Sequence, residues 1–369
     1  MKIKTIKVWD STVRFRHGVY ANSKVSREAV HGRVWEFTMT DGWRGYGEVV
    51  FPLSWPVDQY QKAVQEEQGS LLSLAGKDSG YLMTAARQHR HRGKIGLVHA
   101  FALETAWYDL SGKQEGVPIC ELLGGSKTVR VDDYLSISEP TIQDFQDRLE
   151  QEKSGPNVVQ LKLGMNSRND DVNQVALALE KLPDVKFLLA DANGKWSVDE
   201  ACEVIAKFDD SRLIWEEPCS RYEANIEVVR LSGKRVMVDQ CVGEVSLAMQ
   251  AVDDGLVSAL TIKPAYLGGL SSARQVRDYC ADFGVGMRID GPWCGDIAAS
   301  AILHLAVGAP PEYVIASCDL REPLECEVSL GGVMRFDNGQ ISPPKGPGLG
   351  LGNEPLERKM GDPEAIYSI

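Results

Sequence analysis

The chain has 369 residues, 43% apolar and 25% charged, the balance of an ordinary folded protein rather than a disordered or fibrous one. At roughly 100 to 200 residues per domain, this length predicts two or three domains around a large core. Forty Lys and Arg against 52 Asp and Glu give a formal net charge of −12, which argues against nucleic acid or an anionic membrane as partner and for a small molecule.

MKIKTIKVWDSTVRF alternates apolar and polar residues like a strand and has no apolar stretch of signal-peptide length. A polar segment (SREAVHGRV), a second strand (VWEFTMT) and the turn TDGWRGYGE at 40–48 follow, the pattern of an antiparallel hairpin. Residues 57–125 then become helical, with apolar positions three and four apart in VDQYQKAVQEEQGSLLSLA and HAFALETAWYDLSGKQEG. Together they predict an α+β unit over residues 1–127.

After GGSKT at 124–128, short apolar runs alternate with amphipathic segments, the pattern of βα units around a parallel sheet. There are eight runs: VDDYLSI, VVQLKLG, KFLLADAN, LIWEEP, VMVDQ, ALTIKP, GVGMRID and YVIASC. Eight strands with intervening helices predict a (β/α) barrel of TIM type over residues 128–321, with its active site at the C-terminal strand ends. An open doubly wound sheet is the alternative. AASAILHLAVGA at 298–309 is shorter than the ~18 residues of a membrane span and reads as a core helix. Residues 322–369 are turn-rich and are expected to return to the N-terminal unit as part of a capping domain. Eight scattered cysteines without a CxxC pair read as reduced, hence a cytoplasmic protein.

At the strand ends of the second to sixth runs stand Lys162, Asp191, Glu216, Asp239 and Lys263, all ionisable and each one βα unit from the next. A barrel would bring all five to one mouth. Three carboxylates on adjacent strands, with no cysteine or histidine among them, form a hard oxygen site that suits Mg²⁺ and allows Mn²⁺. The six histidines (17, 31, 89, 91, 99 and 304) lie away from these strand ends, which leaves the lysines as bases. A neighbouring cation and partial burial would lower a lysine's pKa enough for its amine to accept a proton. A divalent ion on a substrate carboxylate would stabilise the enediolate left by removal of the α-proton.

QLKLG, DAN, EEP, VDQ and KPAYLGG, with TDGWRGYGE and ALETAWYDLSGKQEGVPICELLGG, resemble the enolase superfamily in its muconate-lactonizing-enzyme subgroup, over nearly the whole chain. The resemblance implies a modified TIM barrel with a capping domain. It also implies Lys162 and Lys263 as the two acid/base groups, and Asp191, Glu216 and Asp239 as ligands of Mg²⁺. Two positions depart from the pattern: Gln160 replaces the first lysine of KxK, and Gln240 replaces the acidic residue after the third ligand. Within the subgroup, QLKLG, DGPWCGDI and PPKGPGLGL look most like hydroxyproline-betaine epimerases and cis-3-hydroxyproline dehydratases, which implies an amino-acid-type substrate.

Gln160, Asn193, Asp290, Trp293 and Asp296 are therefore candidate substrate contacts, the last three for an ammonium by charge and cation–π contact. Where the epimerases carry a further Trp near the eighth strand end, this chain reads Ser317, Cys318, Asp319, Leu320, which favours a secondary amine over a quaternary one. Tyr20, Phe51 and Trp55 are candidates from the capping loops. Epimerisation and dehydration both fit; a sugar-acid dehydratase, a muconate-type cycloisomerase and a non-catalytic metal-binding homologue are the alternatives. RQHRHRGK reads as a solvated helix face or subunit contact, GPGLGLG as a tail loop, and Cys219 and Cys241 as barrel packing. The resemblance implies a homo-oligomer.

Overall fold

The computed structural model describes residues 1–369 except 17, 127–128, 140, 152–154, 318–319, 321–322, 326–329, 337 and 369. Both expected domain boundaries, 127/128 and 321/322, lie outside the described residues, as do Cys318 and Asp319.

Near the N-terminus, β1 (Ile3–Asp10), β2 (Gly32–Met39) and β3 (Arg44–Val50) form antiparallel pairs, with Val8 opposite Trp35 and Trp35 opposite Gly47. Alternation puts Ile6 and Val8 into the core and leaves Lys7 on the other face. Three helices follow: α1 (Val57–Leu72), α2 (Gly80–His89) and α3 (Gly93–Glu115). β3 lies directly against α3. A Cβ on Gly47 would stand 2.3 Å from the carbonyl oxygen of Ala102, which explains the small residues of RGYGE. Helix α3 is buried on most of its faces because β3 covers one side and the barrel another.

Eight parallel strands then follow in sequential order: β4 (Tyr134–Ile137), β5 (Val158–Lys162), β6 (Phe187–Asp191), β7 (Leu213–Glu216), β8 (Val236–Val238), β9 (Ala259–Ile262), β10 (Gly286–Ile289) and β11 (Val314–Ser317). They form a nearly closed barrel. Their crossover helices include α4 (Ile142–Gln151), α5 (Arg168–Lys181), α6 (Val198–Ile205), α7 (Tyr222–Ser232), α8 (Val245–Asp253), α9 (Leu270–Asp282) and α10 (Asp296–Ala306). Ser167 with Asp170, and Ser197 with Glu200, form reciprocal capping boxes that start α5 and α6 right after their loops.

Register decides what faces inward. The ladders pair Lys162 with Asp191, Asp191 with Glu216, Glu216 with Met237, and Met237 with Ala259. Thr261 pairs with Arg288 two residues further along the same face. Leu161, Ala190 and Trp215, one residue out of phase, pack against the helices instead.

The eight runs differ from the strands in detail. Val131–Asp132 leaves the first run and pairs antiparallel with tail strand Gln340–Ser342, because Asp133 N donates to Gly339 O and breaks the run there. Asp239, Lys263 and Asp290 lie one residue beyond β8, β9 and β10. β12 (Ala365–Ser368) pairs with the outer edge of β1. Among the described residues no helix is long and apolar enough to cross a membrane, and six cysteines are free.

The N-terminal unit reaches over the barrel mouth. A hairpin pairing Tyr20–Ala21 with Ser26–Arg27 carries Ser23, whose Oγ donates to Ala192 O at 3.3 Å, and Lys24, whose Nζ donates to Gln240 Oε1 at 2.5 Å. Glu48 of β3 accepts N–H groups from Gly295 (2.6 Å) and Ala298 (3.0 Å), so the capping sheet supplies the N-terminal partner of α10.

Candidate active site

A cavity of about 340 Å³ opens at the C-terminal ends of the strands, between the barrel and the hairpin. Lys162 stands on one wall, from the second barrel strand, and Lys263 on another, after the sixth. Gln160, Asn193, Asp239 and Asp290 also line it, while Asp191 and Glu216 lie fully buried against these side chains.

The cavity floor is a set of matched charges. Lys162 Nζ donates to Asp191 Oδ2 at 2.6 Å, and Lys263 Nζ to Asp239 Oδ2 at 2.7 Å. Arg288 grips Glu216 with both terminal nitrogens, Nη1 reaching Oε2 at 2.7 Å. Gln160 Nε2 bridges Asp191 Oδ2 (3.1 Å) and Glu216 Oε2 (2.8 Å), while its Oε1 accepts from Ser136 Oγ at 3.1 Å. The glutamine therefore cross-links two carboxylates, where a lysine would add a charge. Asn193 donates twice to Asp191, from N at 2.8 Å and from Nδ2 at 2.9 Å.

The lysines are displaced in the direction opposite to the expectation. Burial by itself lowers both, but Asp191 outweighs it at Lys162 and Asp239 at Lys263, so each amine is held above its ordinary value. The reason is contact: each lysine touches a carboxylate rather than a cation. Glu216 is pushed up by burial and by Asp191 and Asp239, although Arg288 opposes this. Glu217 is pushed up to about 8 by burial and Asp239.

Five buried carboxyl groups (Asp191, Glu216, Glu217, Asp239, Asp290) stand against three cations (buried Lys162 and Arg288, and the partly exposed Lys263), so the acids outnumber the bases. That surplus and an oxygen-only donor set fit a hard divalent cation such as Mg²⁺. Among the described residues no three His, Cys, Asp or Glu side chains are gathered to hold a metal ion, because the three candidate ligands are each turned toward their own cation.

Two residues here have left-handed backbones although neither is glycine, Asn193 (φ 51°) and Glu217 (φ 42°). Asn193 curls back onto Asp191. Glu217 instead points to the next strand end, where its carboxylate accepts Asp239 N at 2.6 Å and Cys241 N at 2.8 Å. Sequence reasoning missed Glu217, Arg288 and Tyr134. The second Glu of EEP and the two-residue spacing from Arg288 to Asp290 were available signals; Tyr134, whose OH donates to Asp290 Oδ2 at 2.7 Å, gave none.

The outer wall is aromatic. Tyr20 and Trp293 meet edge to face at 5.5 Å, with Phe15 stacked on Tyr20, also at 5.5 Å. Trp55 lines the same cavity. Phe51 does not: it lies beneath Trp55 at 5.6 Å in the capping core, because alternation after β3 turns it inward. Asp296 is also elsewhere. It begins α10, where its Oδ2 accepts Leu330 N at 2.5 Å, and it borders a separate cavity with Glu48. Ser317 is buried with its Oγ donating to Ile289 O at 2.7 Å.

Residues 144–355 match the family model described as Enolase C-terminal domain-like. The chain is 28% identical over 374 residues to a cis-3-hydroxy-L-proline dehydratase of Roseibium aggregatum, covering 100% of both proteins. A mandelate racemase/muconate lactonizing enzyme structure from Roseovarius nubinhibens superposes with TM-score 0.86 at 25% identity, covering 100% of this chain and 99% of that one. A dipeptide epimerase from Enterococcus faecalis, solved with Mg and the dipeptide L-Leu-L-Tyr, shares the fold at TM-score 0.78 and 22% identity, covering 95% and 99%. The chain belongs to the Enolase C-terminal domain-like family and is an enzyme of the enolase superfamily.

Proposed function

We propose that this enzyme removes the α-proton of a small amino-acid-type carboxylate of the proline or hydroxyproline class. The observation that carries the reading is the placement of two lysines, Lys162 and Lys263, on different strands of one barrel and on the walls of one cavity. A substrate between them presents one face of its α-carbon to each amine. The neutral lysine takes the proton, the choice depending on the substrate enantiomer, and the opposite ammonium returns one to the other face. That sequence inverts the centre and gives racemisation or epimerisation. Where the β-carbon carries a hydroxyl, a lysine ammonium protonates it as it departs, and the product is the dehydrated acid plus water.

Asp191, Glu216 and Asp239 are the residues that would hold Mg²⁺, or Mn²⁺ in its place. A cation held there would supply charge stabilisation for the substrate carboxylate and would take up the carboxylates that otherwise keep the lysines protonated. Gln160 and Asn193 keep Asp191 and Glu216 oriented. Asp290 receives the substrate's amine, and Trp293 with Tyr20 closes over its ring and excludes water. Trp55 bounds the far side. The full-length match to a cis-3-hydroxy-L-proline dehydratase supports this substrate class. Assembly as a homo-oligomer and residence in the cytoplasm, where free cysteines stay reduced, belong to the same reading.

The test is incubation with Mg²⁺ in D₂O with proline, its 3- and 4-hydroxy isomers and their betaines, following the α-proton by NMR. Exchange with inversion establishes an epimerase, and loss of water from a 3-hydroxy isomer establishes a dehydratase. Silence with all of them removes the proline class and leaves sugar acids, dipeptides and muconate-type substrates to be tried.

A further inference from the structure

Arg288 is a buried cation that the proposed reaction does not use. It lies on β10 two residues before Asp290, so the two side chains share the inward face. Its terminal nitrogens engage both oxygens of Glu216, and Glu216 Oε2 also accepts Gln160 Nε2 at 2.8 Å. The last donor of the fork, Nε, has no hydrogen-bond partner among the described residues, although Asp290 Oδ2 is 3.3 Å away. Asp290 Oδ1 is buried and has no partner among them either. The Tyr134 ring, 5.1 Å from the guanidinium, belongs to the side chain whose hydroxyl holds Asp290 Oδ2. One rigid fork therefore saturates one carboxylate and leaves its neighbour under-supplied.

We propose that Arg288 is a positioning residue that competes with the divalent cation for Glu216. When the cation takes Glu216, the guanidinium turns onto Asp290 Oδ2 through Nε and fixes the carboxylate that receives the substrate's amine. The inference rests on the assignment of Asp191, Glu216 and Asp239 as ligands. Arginine cannot shed its charge, so on yielding Glu216 it must find another carboxylate inside the buried site. Asp290 is adjacent. Carboxyl groups outnumber cations here and Asp290 Oδ2 is 3.3 Å from Nε, so a cation on Glu216 leaves Arg288 a partner within the site, and it moves rather than being expelled. Linkage makes the coupling reciprocal: the factor by which the cation strengthens amine binding is the factor by which the amine strengthens cation binding.

The test is calorimetric titration of the full chain with Mg²⁺ alone, for the unsubstituted protein, R288K, D290N and the double variant, with folding checked by circular dichroism. R288K keeps the charge but loses the two-pronged grip, so Mg²⁺ affinity rises. D290N removes the second position, so Mg²⁺ affinity falls by ~10-fold, the scale of a residue acting behind a ligand. In the R288K background the D290N loss shrinks, because Asp290 acts through the guanidinium; a purely electrostatic loss would be additive. Weakening by R288K, or additivity of the two substitutions, overturns the proposal. If R288K does not fold, D290N decides alone, and unchanged affinity overturns the proposal. An unsubstituted chain that binds no Mg²⁺ overturns the ligand assignment instead.

Discussion

The barrel mouth and the core of the capping domain both take ionisable groups out of water, and they do so in opposite ways. At the mouth, Lys162, Lys263 and Arg288 remain charged because each touches a carboxylate. In the capping core, between the β1–β3 sheet and the helices, His89 and His99 sit ring to ring at 5.4 Å, with Trp35 5.5 Å from His99. Neither His99 nitrogen has a hydrogen-bond partner among the described residues. Burial holds His99 down to about 3 and His89 to about 4, so both are neutral. Neutralisation is the cheaper way to bury a titratable group, and it suits a region whose task is packing. Pairing keeps charge available at the mouth, as the proposed reaction requires.

The contrast is broken most strongly by removing a charge from the mouth. Lys162→Ala and Lys263→Ala each lower α-proton exchange by about 10²- to 10⁴-fold in the D₂O assay while Tm changes far less. A variant that keeps full exchange takes that lysine out of the reaction. Chelation and Glu216→Gln act on the same region: exchange stops in EDTA, returns with Mg²⁺, and Mg²⁺ titration of the Gln variant shows weakened binding. Full activity in the chelated sample sinks the metal assignment.

In the capping core the large effect is on stability. Trp35→Ala deletes a fully buried ring and is expected to lower unfolding free energy by about 3–5 kcal/mol in a urea titration, with kcat per folded molecule nearly unchanged. The histidine pair adds a smaller, pH-dependent component. In the unfolded chain these rings titrate near ~6.5, above their folded values, so the unfolded state takes up protons first as pH falls. Their contribution is complete above that pH and is lost as pH falls, through about 4 for His89 and about 3 for His99. His99→Phe should flatten unfolding free energy against pH over this window by up to ~1.4 kcal/mol per pH unit. An unchanged slope would mean that other groups carry the acid sensitivity. The smallest effect belongs to the exposed pair Arg168–Glu203, at 2.9 Å, where Arg168→Ala is expected to change stability by less than ~1 kcal/mol.

Much of this was legible in the chain. The eight apolar runs mark the barrel because a strand buried on both faces must be apolar throughout, and the ionisable residues at the ends of the second to sixth strands are conspicuous for that reason. RGYGE reads as a tight turn, but its close approach to α3 does not, since the Ala102 carbonyl lies 55 positions along the chain from Gly47. Phe51 and Asp296 were misplaced for a related reason. Each stands near a motif in sequence, and only the turn of the chain after β3 or at the start of α10 decides which side it faces.

By itself, then, the sequence determined the architecture, the family and the residues at the strand ends, because periodicity and strand-end chemistry are local properties. Tertiary structure alone decided which charge touches which. Arg288 reaches Glu216 from three strands away, and Glu217 reaches across to Asp239 N, so the lysines' displacement and the arginine's competition depend on register and barrel closure. Charge-assisted hydrogen bonds need donor and acceptor within hydrogen-bonding distance, and contacts on that scale are made by the fold rather than by neighbours in the chain.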